Sequence, residues 1–300
     1  MRTRIGTLAS ALVVAASALA AVIVSASPAP AGYAGPNGYI VFVSNRDGNY
    51  ELYRMSPTGA SPTNLTNAAG TDTEPKSDLE AARVIFASNR DGDYEIFTAP
   101  VLGGSATQIT NNSVADTSPA FSPLMDKIVF TRKVGGDSEI FIMNSDGSGV
   151  KRLTRLKGVD GEAVWSPVTK LIAFSHKAGR SSGIYTMNAR GKNLTRITAN
   201  RKGDYEPDWA PDGSRIVFAR NKGVASLIYT VKLSGKGLRQ LSPGGAMDYD
   251  PAWSNDGTLI AFGSGAGSYQ INTMNAADGS NRTELTTEGT WNRDPDWVHT

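Results

Sequence analysis

Two series of carboxylates recur along the chain in steps of 44 residues. The first is Asp72, Asp116, Asp160, Asp204 and Asp248, with Asn292 in the sixth place. The second is Glu74, Glu162, Glu206, Asp250 and Asp294, with Ser118 filling the gap. Acids gathered around one opening repel each other, and their pKa values rise unless cations or hydrogen bonds compensate. Such a cluster suits a hard cation such as Ca2+ held by oxygen ligands, with Glu162, Glu206, Asp250 and Asp294 as the candidate set. It equally suits a basic peptide segment docked by charge complementarity, or a pair of acids working on a glycosidic bond. A fourth reading needs no chemistry: each carboxylate caps its own loop or pairs with a neighbouring unit. Repetition in every unit favours that last reading, because a site needs only a few copies.

Tyr205, Tyr249 and Trp291 stand in the same approach segments, outside the apolar strand pattern. Aromatic anchors of that kind are typical of interface centres. Arg46 and Arg90 sit in the Asn-Arg-Asp-Gly segments that begin at Asn45 and Asn89. They read either as partner-facing cations or as solvated residues of Asp-Gly turns. Catalytic signatures fail on context. Gly179-Arg180-Ser181-Ser182-Gly183 fits Gly-x-Ser-x-Gly but lies in a hairpin, without the strand-to-helix elbow that a nucleophile needs. Gly263-Ser264-Gly265-Ala266-Gly267 has no following helix to cradle a phosphate. His176 and His299, the two histidines, are too few for a His-rich metal site, and no catalytic residue is assigned.

The elements that must position these residues follow from the same period. Phe42, Phe86, Phe130, Phe174, Phe218 and Phe262 are 44 apart, as are Phe121, Trp165, Trp209, Trp253 and Trp297, with Ser77 as the weak copy. Leu65-Thr66, Ile109-Thr110, Leu153-Thr154, Ile197-Thr198, Leu241-Ser242 and Leu285-Thr286 form a third ladder. A fixed period of this length marks a repeat architecture. One unit reads as strand A over Pro207–Ala210, a Pro-Asp-Gly turn, strand B over Arg215–Ala219, strand C over Ser226–Lys232 and strand D over Leu238–Ser242. Gly and Asp-Gly pairs punctuate the unit, and no stretch has helical periodicity. The expected fold is all-β: a six-bladed β-propeller of four-stranded antiparallel blades. The first blade lacks its own strand A, and the chain ends with an orphan one, Asp294–Val298. Pairing that strand into blade one closes the ring and removes exposed edges. The D-to-A and B-to-C connections then share one face, and the D-to-A acids crowd the mouth of a central channel.

Composition bounds the rest. The chain has 300 residues, 40% of them hydrophobic, with 32 Gly, 15 Pro and no Cys. That is ample for a large core, and it excludes disulfides and thiol chemistry. Residues 1–26 carry Arg2 and Arg4 ahead of an apolar run from Leu8 to Val24 and small residues at Val24-Ser25-Ala26, the pattern of a secretory signal peptide. An uncleaved anchor is the alternative. Residues 27–37 read as a tether and 38–300 as a single domain. Removing Arg2 and Arg4 leaves 28 basic against 28 acidic residues, so no basic excess points to nucleic acid.

The units resemble the WD40-like repeat of TolB-type propellers, whose consensus joins Pro-x-Trp-Ser-Pro-Asp-Gly to an Ile-Ala-Phe strand. Pro207-Asp208-Trp209-Ala210-Pro211-Asp212-Gly213 and Pro251-Ala252-Trp253-Ser254-Asn255-Asp256-Gly257 carry it, as do Ser44–Gly48 with Tyr50–Tyr53 and Ser88–Gly92 with Tyr94–Phe97. The resemblance implies a propeller and little about chemistry, since the repeat serves binding proteins, regulatory domains of peptidases and some lyases. The expectation is an exported, monomeric, non-catalytic propeller, periplasmic, envelope-bound or extracellular. It would bind a protein or peptide, an envelope component among them, at the acidic mouth. The alternative is a carbohydrate-active lyase or hydrolase that uses the mouth acids with Ca2+.

Overall fold

The computed structural model describes residues 36–79, 83–179, 181–199 and 203–299. The leader and all but the last two residues of the tether lie outside them. Twenty-four strands run through the described residues, and no helix does. They are β1 (Asn37–Ser44), β2 (Glu51–Met55), β3 (Thr63–Asn64), β4 (Asp72–Ser77), β5 (Arg83–Ser88), β6 (Glu95–Pro100), β7 (Thr107–Gln108) and β8 (Asp116–Phe121). There follow β9 (Lys127–Val134), β10 (Asp137–Asn144), β11 (Lys151–Arg152), β12 (Val159–Trp165), β13 (Leu171–Ala178), β14 (Ser181–Asn188), β15 (Thr195–Arg196) and β16 (Asp204–Trp209). The last third holds β17 (Arg215–Asn221), β18 (Ser226–Lys232), β19 (Arg239–Gln240), β20 (Met247–Trp253), β21 (Leu259–Gly265), β22 (Tyr269–Asn275), β23 (Thr283–Glu284) and β24 (Asn292–His299).

Strands β4 to β7 make one four-stranded antiparallel sheet, and β24-β1-β2-β3 make another. The other sixteen strands form two eight-stranded sheets instead of the four separate quartets expected. Each arises from one parallel bridge, Ser138 to Val159 in the first and Ser226 to Met247 in the second, which joins the third strand of one quartet to the first strand of the next. The first strands of the quartets touch in sequence, β4 to β8, β12, β16, β20 and β24, and β24 also touches β4.

The repeated residues explain the packing. All six Phe of the ladder are 0% exposed. Five lie against an aromatic ring on the next strand, for example Phe218 on Tyr229 at 6.0 Å and Phe130 on Phe141 at 5.7 Å. Such ring pairs add about 0.5–1.5 kcal/mol beyond area burial. The Thr ladder has a different task. Its hydroxyl accepts the amide of the third strand, as Thr110 does from Ile96 at 2.8 Å and Thr198 from Ile184 at 2.9 Å. A side chain thus replaces the backbone partner, and the outermost strand stops after two residues, where five were expected over Leu238–Ser242. The third strand matches expectation at Ser226–Lys232, whereas the first begins at Asp204, three residues before the expected Pro207. A bulge lets it pair past the carboxylates, with the register shift between Tyr205 and Asp208.

Candidate functional site

The second carboxylate series sits on that bulge. Glu74, Ser118, Glu162, Glu206, Asp250 and Asp294 all have left-handed backbones, with φ between 47° and 56°. None is glycine, so each conformation carries a cost that its surroundings must offset. The compensation is a chain of hydrogen bonds running from one unit to the next. The amide of Ser118 donates to the Glu74 carboxylate at 2.6 Å, that of Glu206 to Glu162 at 2.6 Å, and that of Asp250 to Glu206 at 2.5 Å. The amides of Asp294 and Glu74 donate to Asp250 and Asp294 at 3.2 and 3.3 Å. Five of six links are made; the sixth would need the Ser118 side chain to do a carboxylate's work.

All six residues line one cavity of about 510 Å³, together with Lys76, Tyr94, Tyr249, Tyr269, Trp291 and Arg293. Burial and neighbouring charge push these acids upward. Glu74 reaches about 7 through burial and then the nearby Asp294. Glu206 reaches about 8 through burial and then Glu162. Burial raises Glu162, and burial with Asp294 and Glu206 lifts Asp250 well above the carboxylate range. A group whose folded pKa exceeds its unfolded value near 4.5 holds its proton more tightly when folded. Its contribution is complete below that value and is lost as pH rises through about 7 to 8. Thermal unfolding midpoints are therefore expected to fall between pH 5 and pH 9, and Glu206→Gln should flatten that slope. An unchanged slope would mean that the ring does not hold the protons.

The first series stays apart from the cavity. Asp72, Asp116, Asp160, Asp204 and Asp248 are at most 1% exposed, and each meets an Arg or His side chain. Arg90 donates to both oxygens of Asp72 at 2.9 Å, and Arg132 to both of Asp116 at 2.6 Å. Arg220 bridges Asp204 at 2.7 and 2.8 Å, and Arg282 holds Asp248 at 2.8 and 3.0 Å. His176 Nδ1 meets Asp160 at 2.6 Å. Asn292, in the sixth place, instead donates to Gln270 and to the Glu288 carbonyl, both at 2.8 Å. The guanidinium groups also stack on the core rings, Arg220 at 4.9 Å from Tyr229 and Arg90 at 4.8 Å from Phe97. Their pairing with the Asp series was missed in the sequence, although Arg132, His176 and Arg220 are themselves 44 apart. A guanidinium grips both oxygens of a carboxylate where an imidazole reaches one. His176→Arg is accordingly expected to stabilise the protein by about 1 kcal/mol, a rise of roughly 2–4 °C in a thermal melt.

The remaining expected contacts divide. Tyr249 and Trp291 line the cavity. Tyr205 does not, because its hydroxyl bonds to Ser226 and its ring packs into the core. Arg90 is held by Asp72, and Arg46 lies 4.7 Å over Tyr53 and 3.5 Å from Glu288, so neither cation faces the cavity. For Ca2+, the geometry of Glu162, Glu206, Asp250 and Asp294 does not fit. Each spends an oxygen on a neighbouring amide, and among the described residues no three His, Asp or Glu side chains converge as metal ligands. On the other side of Lys76 a cavity of about 120 Å³ is lined by Trp165, Trp209, Trp253 and Trp297. There Lys76 pairs with Asp296 at 3.0 Å.

Solved structures share this arrangement. TolB from Acinetobacter baumannii superposes with a TM-score of 0.78 at 23% identity, over 87% of this chain and 66% of that one. The chain thus spans just under two thirds of that relative's length. A chain of a nidogen/laminin complex gives 0.70 at 14% identity, over 87% and 98% of the two chains. An oligogalacturonate lyase in complex with manganese gives 0.56 at 15%, over 81% and 72%. At these identities the likeness is one of fold. No curated protein matches the chain. The family model described as the TolB beta propeller domain matches residues 107–223 and 202–300, most of the chain's length, and the chain belongs to that family.

Proposed function

We propose that the chain is an exported, non-catalytic six-bladed β-propeller of residues 38–300, closed by β24 alongside β1, that binds a protein or peptide at the carboxylate-ringed mouth. The observation that carries this reading is the 510 Å³ cavity, where five carboxylates and an aromatic cluster meet at the ends of six strands. Clefts of this size that combine aromatic walls with a few convergent polar groups are the default binding sites of a fold. The sequence leader supports export, and no helix among the described residues is long and apolar enough to cross a membrane. The nidogen/laminin relative comes from a protein–protein complex, which is consistent with such a use of the fold.

The test is capture of an envelope partner on immobilised protein, with Glu206→Lys/Asp250→Lys and Trp291→Ala as variants. Loss in both, with thermal melts retained for Trp291→Ala, supports the reading; capture unaffected by either overturns it. The lyase likeness motivates a second assay, turnover of polyuronates with and without Mn2+ or Ca2+. The expected result is no turnover, because the mouth acids are engaged with backbone amides and, among the described residues, no ligand set is assembled.

A further inference from the structure

We propose that the mouth receives its partner through a single arginine or lysine side chain, seated in the corner formed by Tyr249, Tyr269 and Trp291 beside Asp250 and Asp294. The inference rests on the binding reading above and names the chemistry of what binds. It starts from an asymmetry. The acids repeat around the cavity and are tied into the fold, but the aromatic corner occurs once. The places equivalent to Tyr249 hold Thr73, Thr117, Gly161, Tyr205 and Arg293, and Tyr205 is turned to Ser226. The fold forms five times without this corner, so packing does not require it.

The corner is built in place. The Tyr249 and Tyr269 centroids lie 5.0 Å apart at 73°, and those of Tyr269 and Trp291 lie 4.5 Å apart. The amide of Tyr269 donates to the Thr290 carbonyl at 2.9 Å, and that of Trp291 to Asn45 Oδ1 at 3.0 Å. Gly263 makes room for the Tyr249 ring, since a Cβ there would lie 2.9 Å from Tyr249 Cε2. Two ring walls near a right angle suit a compact cation, which is attracted by each face for about 0.5–2 kcal/mol. A sugar ring would instead lie flat on one open face.

The charges point the same way. Five acids line the cavity against two cations, Lys76 and Arg293. Lys76 is paired with Asp296, and Arg293 lies 3.7 Å from Asp294 and 4.9 Å over Tyr50. Among the described residues no Lys or Arg stacks on the corner's three rings. A guest cation would supply the charge that this half-buried ring otherwise takes up as protons. An anionic sugar chain would be repelled by the same groups.

The experiment is an NMR titration of the whole protein, following the Trp291 indole N–H, which Trp291→Phe assigns by its loss. The probes are three capped glycine-serine hexapeptides that differ in one central residue: arginine, citrulline or glutamate. The arginine peptide is expected to move the Trp291 signal to saturation, and the citrulline peptide to bind at least about tenfold more weakly. Asp250→Asn and Trp291→Ala should each weaken the arginine peptide by about tenfold or more with the fold intact by melting. Gly263→Ala, which displaces the Tyr249 ring, should weaken it too. Equal binding of arginine and citrulline peptides, or no shift at Trp291 at any concentration, overturns the proposal. So does a shift produced by oligogalacturonate and not by arginine. Partner capture that depends on the mouth but shows no cationic preference would leave the binding reading standing and remove this one alone.

Discussion

Cutting the chain before Asn292 should abolish cooperative folding of the entire propeller, not merely fray one end. Among the described residues β24 pairs with the edge of β1 opposite β2, with Ile40 opposite Trp297 and Val43 opposite Arg293. Trp297 and Val298 are 3% and 1% exposed, and burying such side chains contributes about 1.5–3 kcal/mol each. The strand also joins its neighbours sideways. Asp296 accepts the Ser77 amide at 2.7 Å and pairs with Lys76, Asn255 donates to the Val298 carbonyl at 2.9 Å, and Asp294 takes the Glu74 amide. The sum approaches the whole stability of a typical domain, about 5–15 kcal/mol. Circular dichroism of the 1–291 truncation should therefore show a broad, non-cooperative melt, and a peptide spanning 288–300 added in trans should restore a sharp one. A cooperative melt at the full-length temperature would show that β24 closes nothing.

How much of this was visible in the sequence depends on which residues keep the period. The Phe ladder, the Thr ladder and the third strand all fall on 44-residue steps and have one environment in every unit, so spacing alone located them. The acids keep the period too, yet spacing could not say which way they point. Asp204 and Glu206 are two positions apart, and on a regular strand both would face the same side. The left-handed residue at Glu206 breaks that rule and sends the two series to different places: Asp204 into an ion pair, Glu206 into the cavity. A positive φ at Glu or Asp leaves no mark in composition, since Gly and Asn are its usual signals. The Arg and His partners of the first series were hidden as partners for another reason. Three lie on the period, but Arg46, Arg90 and Arg282 reach equivalent places from elsewhere, with Ser44, Ser88 and Ser264 standing where Arg132, His176 and Arg220 do. Space, not sequence position, is what the ladder conserves within this one chain. The aromatic corner shows the converse, because an unrepeated feature has no ladder to announce it and needs the coordinates to bring Tyr249, Tyr269 and Trp291 together.

The buried pairs make a second, graded expectation. Arg220→Met keeps most of the side chain's packing and removes a guanidinium that grips both oxygens of Asp204. Asp204 is 0% exposed and Arg220 only 10% exposed at its side chain, so water cannot take the missing partner's place. Removing one member of a buried pair costs up to about 3–5 kcal/mol. In urea the midpoint should fall at unchanged slope, which marks lost stability in place of a changed unfolded state. Adding Asp204→Asn should return part of the loss, because a neutral amide can still accept from Thr198 Oγ1, now 2.6 Å from the carboxylate, without carrying a buried charge. The same removal elsewhere orders the effects by exposure. Arg132, 21% exposed, should cost less than Arg220, and Arg282, at 29%, less again, as solvent screens the abandoned acid more completely. Equal losses at all three sites would show that desolvation is not what makes these pairs matter, and that the stacking of each guanidinium on its aromatic ring carries the energy instead.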